Sequence, residues 1–197
     1  MTTPTSDIAF TPTVKALQER KGSRRAYARM EQAGGWSTDI SPDLAAFIAG
    51  QRSFFLATAN AEGQPYIQHR GGPRGFLQVL DERTLGFADV AGNRQFISVG
   101  NLADNARVHL FMIDYAHRQR IKVWGTARVV EDDPALLKRL SVGGGGKPER
   151  AILIQVTAWD ANCPQNIPVM FDAEDVEAAL AKRDRRIAEL EAELAAR

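Results

Sequence analysis

Hydrophobic and polar positions alternate along the middle of the chain with the period of two that is typical of a β-strand. The clearest case is residues 120–130, where Ile121 and Val123 fall on one side and Lys122 and Trp124 on the other. Six further segments have a strand-like composition: residues 53–59, 65–70, 75–80, 84–90, 107–113 and 151–159. Seven short strands at close spacing predict a mainly β fold, a barrel or a sandwich with flanking helices.

Helical patterns precede and interrupt these strands. We expect one helix at residues 14–30, ended by Gly34, and a second after Ser41, a suitable N-cap followed by Pro42. Residues 93–102 and 133–140 also have helical patterns. The expected organisation is an N-terminal arm with helices (residues 1–50), a β-barrel domain (51–172) and a C-terminal helix (173–197).

The C-terminal helix carries apolar positions at heptad spacing. They form two sets that each repeat every seven residues: Val176, Arg183 and Leu190, and Leu180, Ile187 and Leu194. Arg183 is the charged member of the pattern. Three heptads are short for a free coiled coil. Two interpretations are therefore open: the helix packs on its own domain, or it contacts a partner subunit.

Composition and charge exclude several classes of function. The 197-residue chain has 44% hydrophobic and 25% charged residues, close to the average for a soluble domain, and its net charge is only +1. Nucleic-acid binding usually needs a basic excess. No stretch approaches the roughly 20 apolar residues that cross a bilayer. With no secretion signal at residues 1–10 and a single cysteine, Cys163, we expect a cytoplasmic protein without nucleic-acid or membrane partners.

Several common catalytic and metal-binding motifs are missing from the sequence. His69, His109 and His117 lack the spacing of metal ligands, so no metal is expected. There is no G-x-S-x-G nucleophile motif and no GxGxxG motif after a strand. The glycine-rich residues 142–148 do not fit a phosphate-binding P-loop, because Ser141 and Pro148 stand where that motif needs Gly and Ser or Thr.

Two segments combine polar side chains with glycines, as a ligand site would. In the first, residues 64–76, a strand carrying Gln68, His69 and Arg70 runs into Gly71 and Gly72. Glycines let a planar ligand or another backbone approach closely. The alternative is an exposed edge strand that turns at Gly-Gly-Pro.

The second segment, residues 84–102, has the order strand, loop, helix. The strand ends at Asp89, and Asn93, Arg94 and Gln95 are expected to open the helix. The free N–H groups and the positive dipole end of a helix N-terminus bind anions, and an arginine there can hold a phosphate with two hydrogen bonds. The alternative is that Asn93 is a simple N-cap and Arg94 points into solvent.

At these two segments the sequence resembles the pyridoxamine 5′-phosphate oxidase-like family of FMN-binding split barrels, over residues 52–159. The motifs that carry the resemblance are GQPY (63–66), HRGGP (69–73), GNRQ (92–95) and WDxNCPQ (159–165). The last three are typical of an oxidase-related subgroup. The resemblance implies a split β-barrel with FMN held non-covalently at the interface of a homodimer.

The resemblance also implies which residues bind the cofactor. Gln68, His69, Arg70, Gly71 and Gly72 would lie along the isoalloxazine ring, Phe87, Ala88 and Asp89 at the strand end, and Asn93, Arg94 and Gln95 at the phosphate. Arg120 falls where a polar residue reaches the flavin. Asn162 and Gln165 belong to an element that would close over the flavin from the neighbouring subunit.

Departures from the oxidases bear on the reaction. Gln95 replaces a lysine, the ring-facing strand ends in glycines and Pro73 where the oxidases usually have a basic residue, and the C-terminal Arg and His signature for the substrate phosphate is missing. The sequence therefore predicts FMN binding but argues against oxidation of pyridoxine phosphate. His69 is the candidate for the catalytic proton donor, since no other acid or base stands out.

Three functional hypotheses follow. The leading one is an FMN-dependent oxidoreductase acting on a small molecule, with NADH, NADPH or oxygen as its redox partner. The second is a non-enzymatic flavin, haem or deazaflavin binding or sensor protein of the same fold, and the third is an interaction module that acts through the C-terminal heptads. Cys163 has two interpretations, a buried small apolar residue or a redox-active thiol.

Overall fold

The computed structural model describes residues 3–143, 146–161 and 164–196. The chain divides into two compact units, Met1–Ile113 with Arg120–Cys163, and Asp114–Gln119 with Pro164–Arg197. The first unit holds the hydrophobic core and most of the β-sheet, and the second holds the C-terminal helix. Asn162 and Cys163, singled out in the sequence, lie outside the described residues.

Within the described residues, seven strands form one antiparallel sheet. They are β1 (Ser53–Ala59), β2 (Pro65–Gly71), β3 (Gln78–Val79), β4 (Thr84–Val90), β5 (Arg107–Asp114), β6 (Gln119–Val130) and β7 (Pro148–Ala161). Their order across the sheet is β2-β1-β5-β6-β7-β4-β3, so β2 and β3 are the edge strands. The seven predicted strands are confirmed, but the one predicted at residues 75–80 is too long. Gly75 adopts a φ of 82° there, and Phe76 and Leu77 are buried in the core.

The described α-helices are α1 (Pro12–Lys21), α2 (Arg24–Gln32), α3 (Pro42–Gly50), α4 (Ile97–Asp104), α5 (Pro134–Leu140) and α6 (Ala173–Ala195). The predicted cap of α3 is confirmed, because Leu44 N–H donates to Ser41 Oγ at 3.2 Å. The single helix predicted at residues 14–30 is wrong. Gly22 ends α1 with a φ of 79°, a left-handed conformation that glycine adopts without strain, and a second helix follows.

The sheet curls so that β1 and β4, which are separated in strand order, face each other across the core. Phe54 of β1 packs edge-to-face on Phe87 of β4 with ring centroids 5.3 Å apart, and it stacks on Phe76 at 5.7 Å. The alternation predicted for β6 is confirmed, since Ile121 and Val123 are buried while their neighbours are partly exposed. The same curvature brings β2 next to β4, where the candidate site lies.

Candidate functional site

The two faces of β2 line different parts of the site. Along this strand the partly buried residues Tyr66, Gln68 and Arg70 alternate with exposed ones, and the Tyr66 hydroxyl donates to Gln68 Oε1. Successive strand residues point to opposite faces. His69 accordingly lies on the other face, edge-on to Phe55 with ring centroids 5.7 Å apart.

A buried carboxylate lies near the end of β4. Asp89 is 5% exposed, and it accepts hydrogen bonds from Arg70 Nη1 at Oδ1 (2.5 Å) and from Arg150 Nη1 at Oδ2 (3.1 Å). The sheet register sets Arg150 of β7 directly opposite Asp89, whereas Arg70 reaches across from β2. These contacts satisfy the buried charge of Asp89 and hold two guanidinium groups side by side.

The loop after β4 differs from the sequence-based prediction. Asn93 does not open a helix, because its Oδ1 accepts a hydrogen bond from Gln95 N–H (3.2 Å) and forms a local turn. Arg94 and Phe96 have φ values of 61° and 53°, outside the right-handed helical region. The predicted helix start at residue 93 is therefore wrong, and α4 begins at Ile97.

The first turn of α4 nevertheless presents main-chain donors. Gly100 N–H donates to Phe96 O at 2.8 Å as the first turn of the helix closes. The N–H groups of Ile97, Ser98 and Val99 precede that bond and have no acceptor within the helix. The helix dipole also makes this end positive. Main-chain donors of the kind that can bind an anion are thus present at Ile97–Val99 rather than at Asn93.

A first cavity of about 240 Å³ lies where these parts meet. Arg70, Arg94 and Arg150 line it together with Asp89 and Glu149, so its charged side chains carry a net charge of +1. The first turn of α4 forms another wall. The ring of Phe96 supports two of the guanidinium groups, with the Cζ atoms of Arg94 and Arg150 at 6.0 and 5.4 Å from its centroid.

A second cavity of about 400 Å³ adjoins the first and shares Arg70, Asp89 and Val90 with it. Its β2 side is formed by His69, Gly71 and Gly72, and its apolar lining includes Phe76, Phe87, Ala88, Leu140 and Val142. Cavities of this size and mixed lining hold small molecules and cofactors. Together the two cavities offer a cationic end and an adjoining apolar compartment.

Most of the residues predicted to bind a cofactor line these cavities. The first contains Gln68, Arg70, Asp89, Asn93, Arg94 and Gln95, and the second contains His69, Arg70, Gly71, Gly72, Phe87, Ala88 and Asp89. Arg120 is not among the described lining residues of either cavity; it lies on β6, on the same side of the strand as Lys122. Gln165 belongs to the second unit, and Asn162 lies outside the described residues.

Arg150 is a site residue that the sequence analysis missed. Its side chain is 11% exposed and also bonds Glu149 (2.8 Å) and Glu131 (3.1 Å). Burial acts to lower the pKa of Arg150, but the neighbouring carboxylates, Asp89 foremost, raise it on balance, so the group stays charged. In the sequence Arg150 only precedes a predicted strand. Its place is set by the pairing of β7 with β4, which local patterns do not show.

The model of the pyridoxamine 5′-phosphate oxidase family matches residues 40–163. The chain belongs to the pyridoxamine 5′-phosphate oxidase family. The seven-stranded sheet with its flanking helices is the FMN-binding split barrel of this family, which confirms the predicted resemblance and fold. No curated protein matches the sequence.

Solved structures that resemble this pyridoxamine 5′-phosphate oxidase family member include the following two. HupZ from Group A Streptococcus superposes with a TM-score of 0.52 and 21% identity, covering 67% of this chain and 99% of its own. A protein of the pyridoxamine 5′-phosphate oxidase type from Lactobacillus delbrueckii has a TM-score of 0.50 and 19% identity, covering 63% and 95%. At such identities these similarities show the fold alone.

Two further observations concern this family member as a whole. Among the described residues, no group of three or more His, Cys, Asp or Glu side chains is placed to hold a metal ion. Within the same part of the chain, none of the helices combines the length and the apolar character needed to span a bilayer.

Proposed function

We propose that this protein is a cytoplasmic, homodimeric flavoprotein that binds FMN non-covalently and uses it to oxidise or reduce a small molecule. The observation that carries the proposal is the cationic first cavity, where Arg70, Arg94 and Arg150 meet the amides at the start of α4. A phosphate group is opposite in charge to this site, and guanidinium groups and helix amides are donors that phosphates accept from. FMN would supply the redox chemistry, and the protein its binding and orientation.

The donors around the two cavities support a bound anionic group. The Nε of Arg70 is buried and has no hydrogen-bond partner among the described residues, although Arg70 lines both cavities. A buried donor without a partner costs free energy. Because Arg70 Nε is out of reach of solvent, a ligand would accept its hydrogen bond only after the side chain moved, whereas the first turn of α4 already lines the first cavity.

The second cavity supports a place for the isoalloxazine ring beside the phosphate. Phe76 and Phe87 supply apolar surface, and Gly72 leaves no room for a side chain because a Cβ there would lie 2.7 Å from Phe76 Cβ. Arg70 stands at the junction of the cavities, where its positive charge favours a negatively charged state of the cofactor. His69 lines this cavity and stays the candidate proton donor.

Exposed apolar side chains support the homodimer. Val90, Phe96 and Ile97 line the first cavity and are 38%, 44% and 39% exposed. Apolar groups gathered at the edge of a site mark a surface that another molecule covers. A second copy at this edge would enclose the cofactor and exclude water from it.

An absorbance spectrum of the purified protein, followed by mass spectrometry of the released cofactor, tests the proposal. We expect a flavin spectrum and the mass of FMN, either directly or after incubation with FMN. Protein that stays colourless after this incubation overturns the proposal. Bound haem or deazaflavin would instead support the second hypothesis, a binding or sensor protein of the same fold.

Stopped-flow reduction separates an enzyme from a flavin carrier. The FMN-loaded protein is mixed anaerobically with NADH or NADPH, and oxygen is then admitted. An oxidoreductase is expected to lose its flavin absorbance with one of these donors and to recover it with the acceptor. If neither donor reduces the bound flavin and oxygen has no effect, the carrier or sensor function is favoured.

A further inference from the structure

The C-terminal helix α6 exposes a stripe of apolar side chains. The helix runs over 23 residues and none of its described residues is buried. Its large apolar residues are Val176, Leu180, Ile187, Leu190 and Leu194, with exposed fractions from 41% to 68%. A narrow apolar stripe that repeats every seven residues is the seam of a coiled coil rather than a face shaped for a globular core.

The spacing fixes the heptad positions. Steps of four and three residues place Leu180, Ile187 and Leu194 at a, and Val176, Arg183 and Leu190 at d. The flanking e positions are all acidic: Glu177, Asp184 and Glu191. The flanking g positions are Ala179, Arg186 and Glu193.

The flanking charges distinguish two orientations of a helix pair. In an antiparallel pair of identical helices, e faces e and g faces g, so acidic residues such as Asp184 face acidic residues, and Arg186 faces Arg186. In a parallel pair, g faces the e position of the following heptad, so Arg186 faces Glu191 of the second copy. The charge pattern therefore opposes the antiparallel pair and complements the parallel one.

Arg186 is available for this contact. Within its own helix it bonds Glu189 at 2.9 Å, and both side chains are about 60% exposed (58% and 60%). Such exposed pairs are held weakly and exchange easily. Arg183 at the d position faces Arg183 of the second copy across the seam, and this repulsion weakens the pairing. Asp184 at the adjoining e position offers a counter-charge. A polar residue inside a seam is a known means of fixing register at some loss of stability.

We propose that α6 pairs in parallel, in register, with α6 of a second copy of this chain. The pairing goes beyond flavin binding, but it rests on the proposed homodimer. Because three heptads with one arginine in the seam form a weak coil alone, the interaction draws on the high local concentration of two helices carried by one assembled dimer.

Site-specific cross-linking in the full-length protein tests the proposal. The native cysteine is first removed as Cys163→Ser, and Val176→Cys or Leu194→Cys is then introduced. A parallel, in-register pair sets each new cysteine against its own copy, so both variants are expected to form disulfide-linked dimers under mild oxidation. The matched controls Ala178→Cys and Ala192→Cys lie at the f position, away from the seam, and are expected to stay monomeric on a non-reducing gel.

The same variants give the outcomes that would overturn the proposal. Differently tagged Val176→Cys and Leu194→Cys chains are mixed and oxidised, and a preference for the mixed disulfide would show an antiparallel pair. Equal cross-linking of seam and control positions, or none at the seam, would show that α6 does not pair with itself. In the Leu194→Cys protein, Arg183→Leu is expected to raise the cross-linked fraction, and a fall would contradict the assigned seam. The substituted positions of α6 are all exposed, so circular dichroism is enough to check that the variants fold.

Discussion

At the scale of single residues, the site depends on Asp89, a carboxylate that is unexpected in a cavity proposed to hold a phosphate. A carboxylate there opposes a bound phosphate. Its value lies in its two hydrogen bonds, because without them the guanidinium groups of Arg70 and Arg150 would repel each other in a buried place. Asp89 thus positions two donors and lowers their combined charge, and Arg94 remains as the arginine of the cavity without a described carboxylate partner.

Replacing Asp89 with Asn is expected to lower the free energy of unfolding by about 3 kcal/mol, because one partner of a buried ion pair is lost and two guanidinium groups are left facing each other. Urea denaturation of the two proteins measures the difference. Glu131→Gln is the matched control. Glu131 bonds the same Arg150 but is 61% exposed, so the expected loss there is below about 1 kcal/mol. Equal losses in both variants would contradict the role given to Asp89.

Replacing Arg94 with Ala is expected to weaken FMN binding by about 1.5–3 kcal/mol, the loss of a charge-assisted hydrogen bond to the phosphate. This corresponds to a roughly 10- to 150-fold higher dissociation constant in a flavin fluorescence titration. Arg107→Ala removes another exposed arginine, one that is not among the described lining residues of either cavity, and should leave the dissociation constant unchanged. An unchanged constant in Arg94→Ala would place the phosphate elsewhere.

At the scale of elements, the sequence predicted the features that depend on interactions between neighbouring residues. The alternation of β6 and the Ser41 cap of α3 could be read from neighbouring residues, and both are confirmed. The start of α4 could not be predicted in this way, because an asparagine is equally suited to an N-cap and to a side-chain turn. Asn93 forms the turn. Arg150 was missed for a different reason. Its role comes from the register between β7 and β4, which long-range packing sets.

The pairing of β6 with β7 needs a glycine at position 125. The register of β6 and β7 shifts between Trp124 and Gly125, and a Cβ at Gly125 would lie 2.4 Å from the Gln155 carbonyl oxygen. Gly125→Ala is therefore expected to lower the free energy of unfolding by about 1–3 kcal/mol, as overpacking does. Gly100→Ala in α4, where a Cβ meets nothing within 4 Å, is expected to stabilise by about 0.5–1 kcal/mol. Thermal unfolding measures the change in stability of both variants. An unchanged stability of Gly125→Ala would show that the register shift at this position tolerates a side chain.

At the scale of the whole molecule, the curvature of the sheet creates the site. β2 and β4 are separated by four strands in the sheet order, yet Arg70 of one bonds Asp89 of the other. The residues that line the two cavities therefore come from both ends of one sheet. A flat sheet with the same strands would leave them apart, so loss of the barrel core is expected to abolish the site as a unit.

His109 links the stability of this barrel to pH. Burial, helped by the nearby charge of Lys122, lowers the pKa of His109 below its ordinary value of 6.5. Between the folded and unfolded pKa values, the unfolded chain binds the proton and the folded chain does not, so stability is present above pH 6.5 and falls as the pH is lowered through that value. Urea denaturation across this range should show the decline, and His109→Phe should flatten it. Equal declines in both proteins would assign it to other groups.

Flavin binding and assembly should also depend on each other if a second copy covers the first cavity. A ligand that binds the dimer better than the monomer favours the dimer by the same free energy. FMN is therefore expected to shift the monomer–dimer equilibrium towards the dimer in sedimentation velocity experiments. Diluting the protein below its dimer dissociation constant is expected to raise the apparent dissociation constant of FMN. A monomer that binds FMN with the same affinity at every protein concentration would show that one chain completes the site, and the exposed Val90, Phe96 and Ile97 would then need another explanation.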